Sequence, residues 1–196
     1  NAEAAVSRER PDHMPALYVA LLHHPVYDRN RAVVTSALTN IDLHDIARSC
    51  CTYGVRAFYV ITPVDAHRAL ARRVVRHWQQ GHGAEFNPTR REALATVRLE
   101  CSLDGAEIDI ERETGVLPRL IATSARELPG AIEAPQLRAE IETSDAPYLL
   151  LLGTGSGLTE MVTERAHRHL APIHGPTDYN HLSVRAAAAV ILDRLA

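Results

Sequence analysis

The sequence predicts an α/β domain built on a parallel sheet with helices on both faces. Two observations carry that prediction. Short apolar or β-branched runs recur along the chain, and a helical stretch with its own start or stop signal follows most of them. The run 148–152 (YLLLL) is apolar at every position, as a strand buried on both faces requires. The 196 residues, 46% apolar and 23% charged, suit one globular domain, and neither repeat nor linker interrupts them.

Residues 16–22 (ALYVALL) read as the first strand. Residues 23–31 read as a loop, with His23 and His24 as loop or surface residues. Thr39 or Asn40 can cap a helix over 41–53 that stops at Gly54. The β-branched and aromatic run 55–61 (VRAFYVI) is a second strand. Thr62-Pro63 offers a cap and a proline at the first helical position, opening a helix that runs to Gln80 and stops at Gly81. A polar loop over 81–90 precedes a third strand at 95–101 and a helix over 103–114 closed by Gly115. A fourth strand at 119–123 (RLIAT) leads through a loop to a short helix ending near Glu142, and 148–152 is the fifth strand. A helix over 158–167, a short strand at 169–171 and a last helix over 179–195 complete the chain. Residues 1–14, polar and irregular, read as a loose tail before a domain over 15–196, with Met14 a candidate native start.

A net charge of −3 argues against coating nucleic acid through bulk charge and leaves room for a local basic patch. All 21 basic residues are arginine, which excludes a P-loop lysine and a Schiff-base lysine. Cys50, Cys51 and Cys101 fit neither a disulfide framework nor a zinc site and read as core or half-buried residues. The histidines show no zinc spacing, so no metal is expected. No apolar run approaches the roughly 18 residues of a membrane span, and no signal peptide is seen. The expected location is cytoplasmic, without a membrane partner.

Ligands of an open parallel sheet bind beyond the carboxyl ends of its strands. Three segments stand there: 123–125, 153–158 and 172–183. In the second, YLLLLGTGSGL, the glycines serve either close approach of backbone to a ligand or a tight turn that needs positive φ. A dinucleotide fingerprint would carry an acidic residue about 20 positions on, where this chain has Ile173. In the third, helix propensity explains Ala186–Ala189 but not the GPTDYNH before them.

Together, TNIDLHDIARSCCTYGV (39–55), LLGTGSGL (151–158) and PIHGPTDYNHLSVRAAAAV (172–190) resemble the three motifs of the SPOUT superfamily of S-adenosylmethionine-dependent RNA methyltransferases. The resemblance covers nearly the whole chain from Leu17. It implies an α/β fold with a C-terminal trefoil knot, in which 175–180 is the threaded loop and Ser183 begins a buried helix. It implies a homodimer whose partner subunit helps complete the site, S-adenosyl-L-methionine as cofactor and RNA as substrate. The cofactor-loop positions fall on Thr123, Ser124, Ala125, Leu152, Gly153, Thr154, Gly155, Gly157, Leu158, Pro172, Ile173, Tyr179, Asn180, Leu182 and Ser183.

For catalysis, Arg48 falls on the motif arginine, which contacts substrate phosphate or helps activate the acceptor; the alternative is a surface arginine. Asp178 is a base, a partner of the cofactor amine or an N-cap. His181 is a base, since histidine titrates near neutrality, or a structural residue. His44 and Asp45, one turn before Arg48, can join it. The second motif lacks the glutamate of the ribose 2′-O enzymes, and His181 stands where they have asparagine. The implied target is therefore a base of tRNA or rRNA. A knotted RNA-binding or regulatory module that keeps the cofactor pocket without catalysis is the alternative. An unrelated nucleotide-dependent α/β enzyme is a third.

Arg68, Arg72, Arg73, Arg76 and His77 share one predicted helix, followed by Arg90 and Arg91. Spacings of three and four put several on one face. Arg72, Arg76, Arg90 and Arg91 are the candidate RNA contacts, with Trp78 and Phe86 placed for stacking. A solvated helix face would show the same pattern.

Overall fold

The computed structural model describes residues 16–80 and 86–196. In chain order the elements are β1 (Leu17–Leu22), β2 (Val26–Tyr27), β3 (Val33–Val34), α1 (Asn40–Thr52), β4 (Phe58–Ile61), α2 (Asp65–Gln80), α3 (Pro88–Ala95) and β5 (Val97–Glu100). There follow α4 (Leu103–Thr114), β6 (Arg119–Ala122), α5 (Ala134–Glu142), β7 (Tyr148–Gly153), α6 (Glu160–Glu164), β8 (Arg168–His169) and α7 (Val184–Leu195). Six strands make one parallel sheet in the order β5-β4-β1-β7-β6-β8, and β2 and β3 form a small antiparallel hairpin.

The sheet is built around β1 and β7, which pair in register from Leu17 and Tyr148 to Leu22 and Gly153. Successive side chains leave a strand on opposite faces. Val19, Leu21, Leu150 and Leu152 therefore enter one core with α1, α3, α5 and α7. Tyr18, Ala20, Leu22, Leu149 and Leu151 enter the other with α4 and α6. Each of these leucines and Val19, fully buried, contributes roughly 1.5–3 kcal/mol. On the second face Arg98 ties α4 to the sheet through Asp109 at 2.9 Å and Glu113 at 2.7 Å.

Local signals set the helix starts. The Thr39 side chain accepts from the backbone N–H of Asp42 at 3.2 Å, and Ser102 does the same for Gly105 at 3.1 Å. Gly115 closes α4 in the left-handed region at φ 83°. Several boundaries differ from expectation. α2 begins at Asp65, two residues after Pro63. The polar loop expected to reach residue 90 gives way to α3, where Asn87 accepts from the N–H of Arg90 at 3.0 Å and Pro88 takes the first position. α6 keeps only Glu160–Glu164 of the helix expected over 158–167: Leu158 bridges to Val26 before it, and the His167 N–H donates to Leu120 O after it. α7 starts at Val184 and not at 179, since Ser183 is its cap, bonded to the N–H of Ala186 at 3.3 Å. The expected tail and the stop at Gly81 lie outside the described residues.

Candidate functional site

The carboxyl ends of β6 and β7 open into a cavity of about 970 Å³. All three strand-end segments reach it. Thr123, Ser124 and Ala125 line it from the end of β6, and Leu152, Gly153, Thr154, Gly155 and Gly157 from the end of β7. Ile173, Asn180, Leu182 and Ser183 come from the segment before α7, with Val184, Arg185, Ala187 and Ile191 from α7 itself. Three expected lining residues stand elsewhere. Leu158 and Pro172 are buried off the cavity, and Tyr179 projects outward at 74% exposure.

The glycine turn is shaped by its own backbone. A Cβ on Gly153 would lie 2.6 Å from the amide nitrogen of Leu158. Gly155 has φ +61° and would press a Cβ to 2.7 Å from the carbonyl oxygen of Tyr27. Gly157 has φ +104° with open space around it. The glycines thus serve a tight turn in the left-handed region, and the turn forms one wall of the cavity. The β2–β3 hairpin is bolted across it. Tyr27 N–H donates to Gly157 O at 2.9 Å, and Ser156 N–H donates to Tyr27 O at 2.7 Å. Arg31 lies 4.3 Å over the Tyr27 ring and pairs with Glu160 at 2.9 Å. This hairpin brings Asp28, Arg29 and Arg31 to the cavity. Two-residue strands leave no legible alternation, so the hairpin had no signal in the sequence.

Beneath the turn lies a buried polar relay. Thr154 Oγ1 donates to Leu22 O at 2.9 Å, so Ser36 must donate its hydroxyl hydrogen to Thr154. The Nδ1–H of His23 then donates to Ser36 at 3.0 Å. Expected as a loop or surface residue, His23 follows β1 in the loop but is fully buried. Burial, then the neighbouring His67, push its pKa down to about 4 against the opposing pull of Asp42. Ser36 and Thr154 carry this relay to the cavity wall.

Also lining the cavity, Asp42 is nearly buried in the first turn of α1. It accepts from Thr39 Oγ1 at 2.6 Å and from Arg185 at 3.1 Å. Arg185 also reaches Asp45 at 3.6 Å. The signal that could have found Asp42 is its place in the first turn of a predicted helix beside a strand end. Asn180 closes the mouth by donating Nδ2–H to Ala125 O at 2.9 Å.

Of the candidate catalytic residues, His181 lines the cavity with Tyr179 edge-on at 5.4 Å. Asp178 is exposed and is not the cap of α7. Arg48 is exposed on α1, six residues past Asp42 and so about 9 Å further along the axis. His44 faces Trp78 and not the cavity. Among the candidate RNA contacts, Arg72, Arg76 and Arg91 are exposed, and Arg90 packs over Trp78 at 4.6 Å. Cys50 is buried and Cys101 exposed. Among the described residues no cluster of His, Cys, Asp or Glu could hold a metal ion, and no helix is long and apolar enough to cross a membrane.

A six-stranded parallel sheet whose strand ends enclose one large cavity, with part of its wall supplied by the residues leading into the last helix, defines an α/β protein of the SPOUT methyltransferase fold. The TrmH/SpoU tRNA modifying enzyme of Aquifex aeolicus shares it, with a TM-score of 0.52 at 14% identity over 93% of this chain and 74% of that one. Residues 16–196 match the family model described as SAM-dependent RNA methyltransferase, and the chain belongs to that family. Its cofactor is accordingly S-adenosylmethionine. An uncharacterized protein of A. aeolicus is 40% identical over 91% of this chain and 87% of its own length. A protein of Nitratidesulfovibrio vulgaris named tRNA (guanine-N(1)-)-methyltransferase is 44% identical over 97% of this chain. This chain spans only 44% of that relative, so the match does not assign the named activity to the shared part.

Proposed function

We propose that the chain methylates a base of tRNA or rRNA, holding S-adenosylmethionine in the strand-end cavity and working as a knotted homodimer in the cytoplasm. The observation that carries the reading is the convergence of 123–125, 153–157 and 173–183 on one cavity. The cavity suits the cofactor. Its volume falls within the ~300–1,000 Å³ of small-molecule sites. Leu152, Ile173, Ala187 and Ile191 offer an apolar bed, and Thr123, Ser124 and Asn180 offer polar groups at its rim.

When bound, S-adenosylmethionine supplies an activated methyl group on a sulfonium. The chain must then align an acceptor and take up a proton. His181 is the candidate base, being the titratable ring at the cavity mouth. Asp178 beside it and Arg48 on α1 are reserved for a target or a partner subunit brought against the mouth. The exposed Tyr179 and Leu182, at 74% and 50%, are the apolar surface such a partner would cover. The bond from Asn180 to Ala125 supports a threaded 175–180 loop. A base is favoured over a ribose oxygen because no acidic residue stands in 153–158.

Calorimetric titration with S-adenosylmethionine and S-adenosylhomocysteine, beside an Ala187→Phe variant, tests the reading. Phenylalanine there fills the cavity from a helix without backbone strain. Saturable binding lost in the variant is the expected result, followed by methyl incorporation into total RNA that His181→Ala and Arg48→Ala reduce. Folded protein that binds neither compound would overturn the assignment. Binding without methylation of any RNA would favour the non-catalytic module.

A further inference from the structure

A second groove, of about 620 Å³, opens on the other side of α1, between α1, α2 and α3. Its wall is Trp78, the one tryptophan of the chain. The Arg90 guanidinium lies 4.6 Å over the indole, and the His44 and His77 rings meet it edge-on at 5.7 and 5.2 Å. Two polar atoms here, His44 Nδ1 and Arg90 Nε, are buried without a hydrogen-bond partner among the described residues. Native folds rarely leave such groups unsatisfied. Arg90 Nε is a donor only, so its missing partner is an acceptor.

The groove is also placed for substrate. Asn40, Ile41 and His44 line it, while Thr39 and Asp42 of the same helical turn line the cavity. One turn of helix rises about 5 Å, so one strand can cross α1 and occupy both. Arg73 and Arg90 outweigh Asp45 in charge. That balance favours phosphate, and the flat Trp78–Arg90 pair favours a base.

We infer that this groove binds a nucleotide of single-stranded RNA adjoining the one presented to the cavity, its base against the Trp78–Arg90 pair and its phosphate held by Arg73 and Arg90. The inference rests on RNA being the substrate and adds where its flanking nucleotide sits.

Trp78 reports on its own site. The full chain is titrated with single-stranded oligouridylate and oligoadenylate of roughly six nucleotides, following tryptophan fluorescence at two salt concentrations. Saturable quenching that weakens at the higher salt is expected. With end-labelled RNA read by anisotropy, Trp78→Ala and Arg90→Ala should each raise the Kd about tenfold. Their calorimetric affinity for S-adenosylhomocysteine should stay unchanged. Trp78→Leu, which keeps apolar bulk but loses the stacking face and should likewise weaken RNA, replaces the alanine variant if that fails to fold. RNA that binds both Arg90→Ala and the Trp78 variant like wild type, or leaves the fluorescence untouched, would overturn the groove while the cofactor reading stands. RNA binding through Trp78 without binding of S-adenosylhomocysteine would uphold the groove and sink the cofactor reading. If the variants instead dissociate a dimer in sedimentation, a second copy fills the groove and the inference is wrong.

Discussion

The glycine turn at 153–157 and the segment at 172–183 both help wall one cavity, yet they are held in different ways. The turn is fixed by backbone: Gly155 and Gly157 take positive φ, and the β2–β3 hairpin is bonded across it at Gly157 and Ser156. The later segment is held by side chains, with Asn180 reaching Ala125 and Ser183 capping α7, while Tyr179 and Leu182 stay in solvent. The contrast teaches that one wall is preformed, while the other has the exposure to adjust to substrate.

The largest effect should come from breaking the rigid wall. Gly155→Val places a β-branched residue at φ +61° with its Cβ 2.7 Å from Tyr27 O. Left-handed strain and overpacking together should cost about 3–4 kcal/mol, seen as a lower denaturation midpoint and lost binding of S-adenosylhomocysteine. An unchanged midpoint would mean the hairpin yields and the wall is not rigid.

Acid should loosen the same wall from below. With His23 held near pKa 4 and an unfolded ring near 6.5, the unfolded chain takes up a proton between those values that the folded chain refuses. Stability should therefore fall as pH drops from about 6.5 to 4, by on the order of 3 kcal/mol, and this group adds no slope above that window. His23→Asn should flatten the difference between denaturation at pH 7 and at pH 4.5. Equal slopes in the two proteins would remove His23 from the account.

Changes on the adjustable wall should be smaller. Ser183→Ala removes the cap of α7 and should cost about 1 kcal/mol. Asn180→Ala breaks one exposed hydrogen bond and should cost under about 1 kcal/mol in stability, while weakening S-adenosylhomocysteine several-fold in calorimetry. A stability loss at Asn180 matching that at Gly155 would erase the distinction between the two walls.

Much of this was legible in the chain. ALYVALL and YLLLL became β1 and β7 because both faces of a central strand need apolar residues, a requirement visible locally. Gly115 and Thr39 marked helix ends by conformations and bonds that depend only on neighbours. The three strand-end segments were visible for the same reason. Less was legible where a short element relies on distant support. The hairpin at Val26–Tyr27 and Val33–Val34 exists because the glycine turn accepts and donates its bonds. The cap signal at Asn87-Pro88 was present but lay within a polar stretch. The burial of His23 was not legible because nothing beside it in sequence announces Ser36 and Thr154 above it.

By itself, the sequence determined the strands of the parallel sheet, most of the helices, and that a candidate site lies past the ends of β6 and β7. Those are local properties of alternation, capping and backbone freedom. The tertiary structure alone decided which side chains meet there. Arg185 finds Asp42 across 143 positions, and Thr154 finds Ser36 across 118. Such pairs follow from β7 lying between β1 and β6. Parallel neighbours are joined by long crossovers, so their pairing is set by how the whole core packs and not by any stretch of chain.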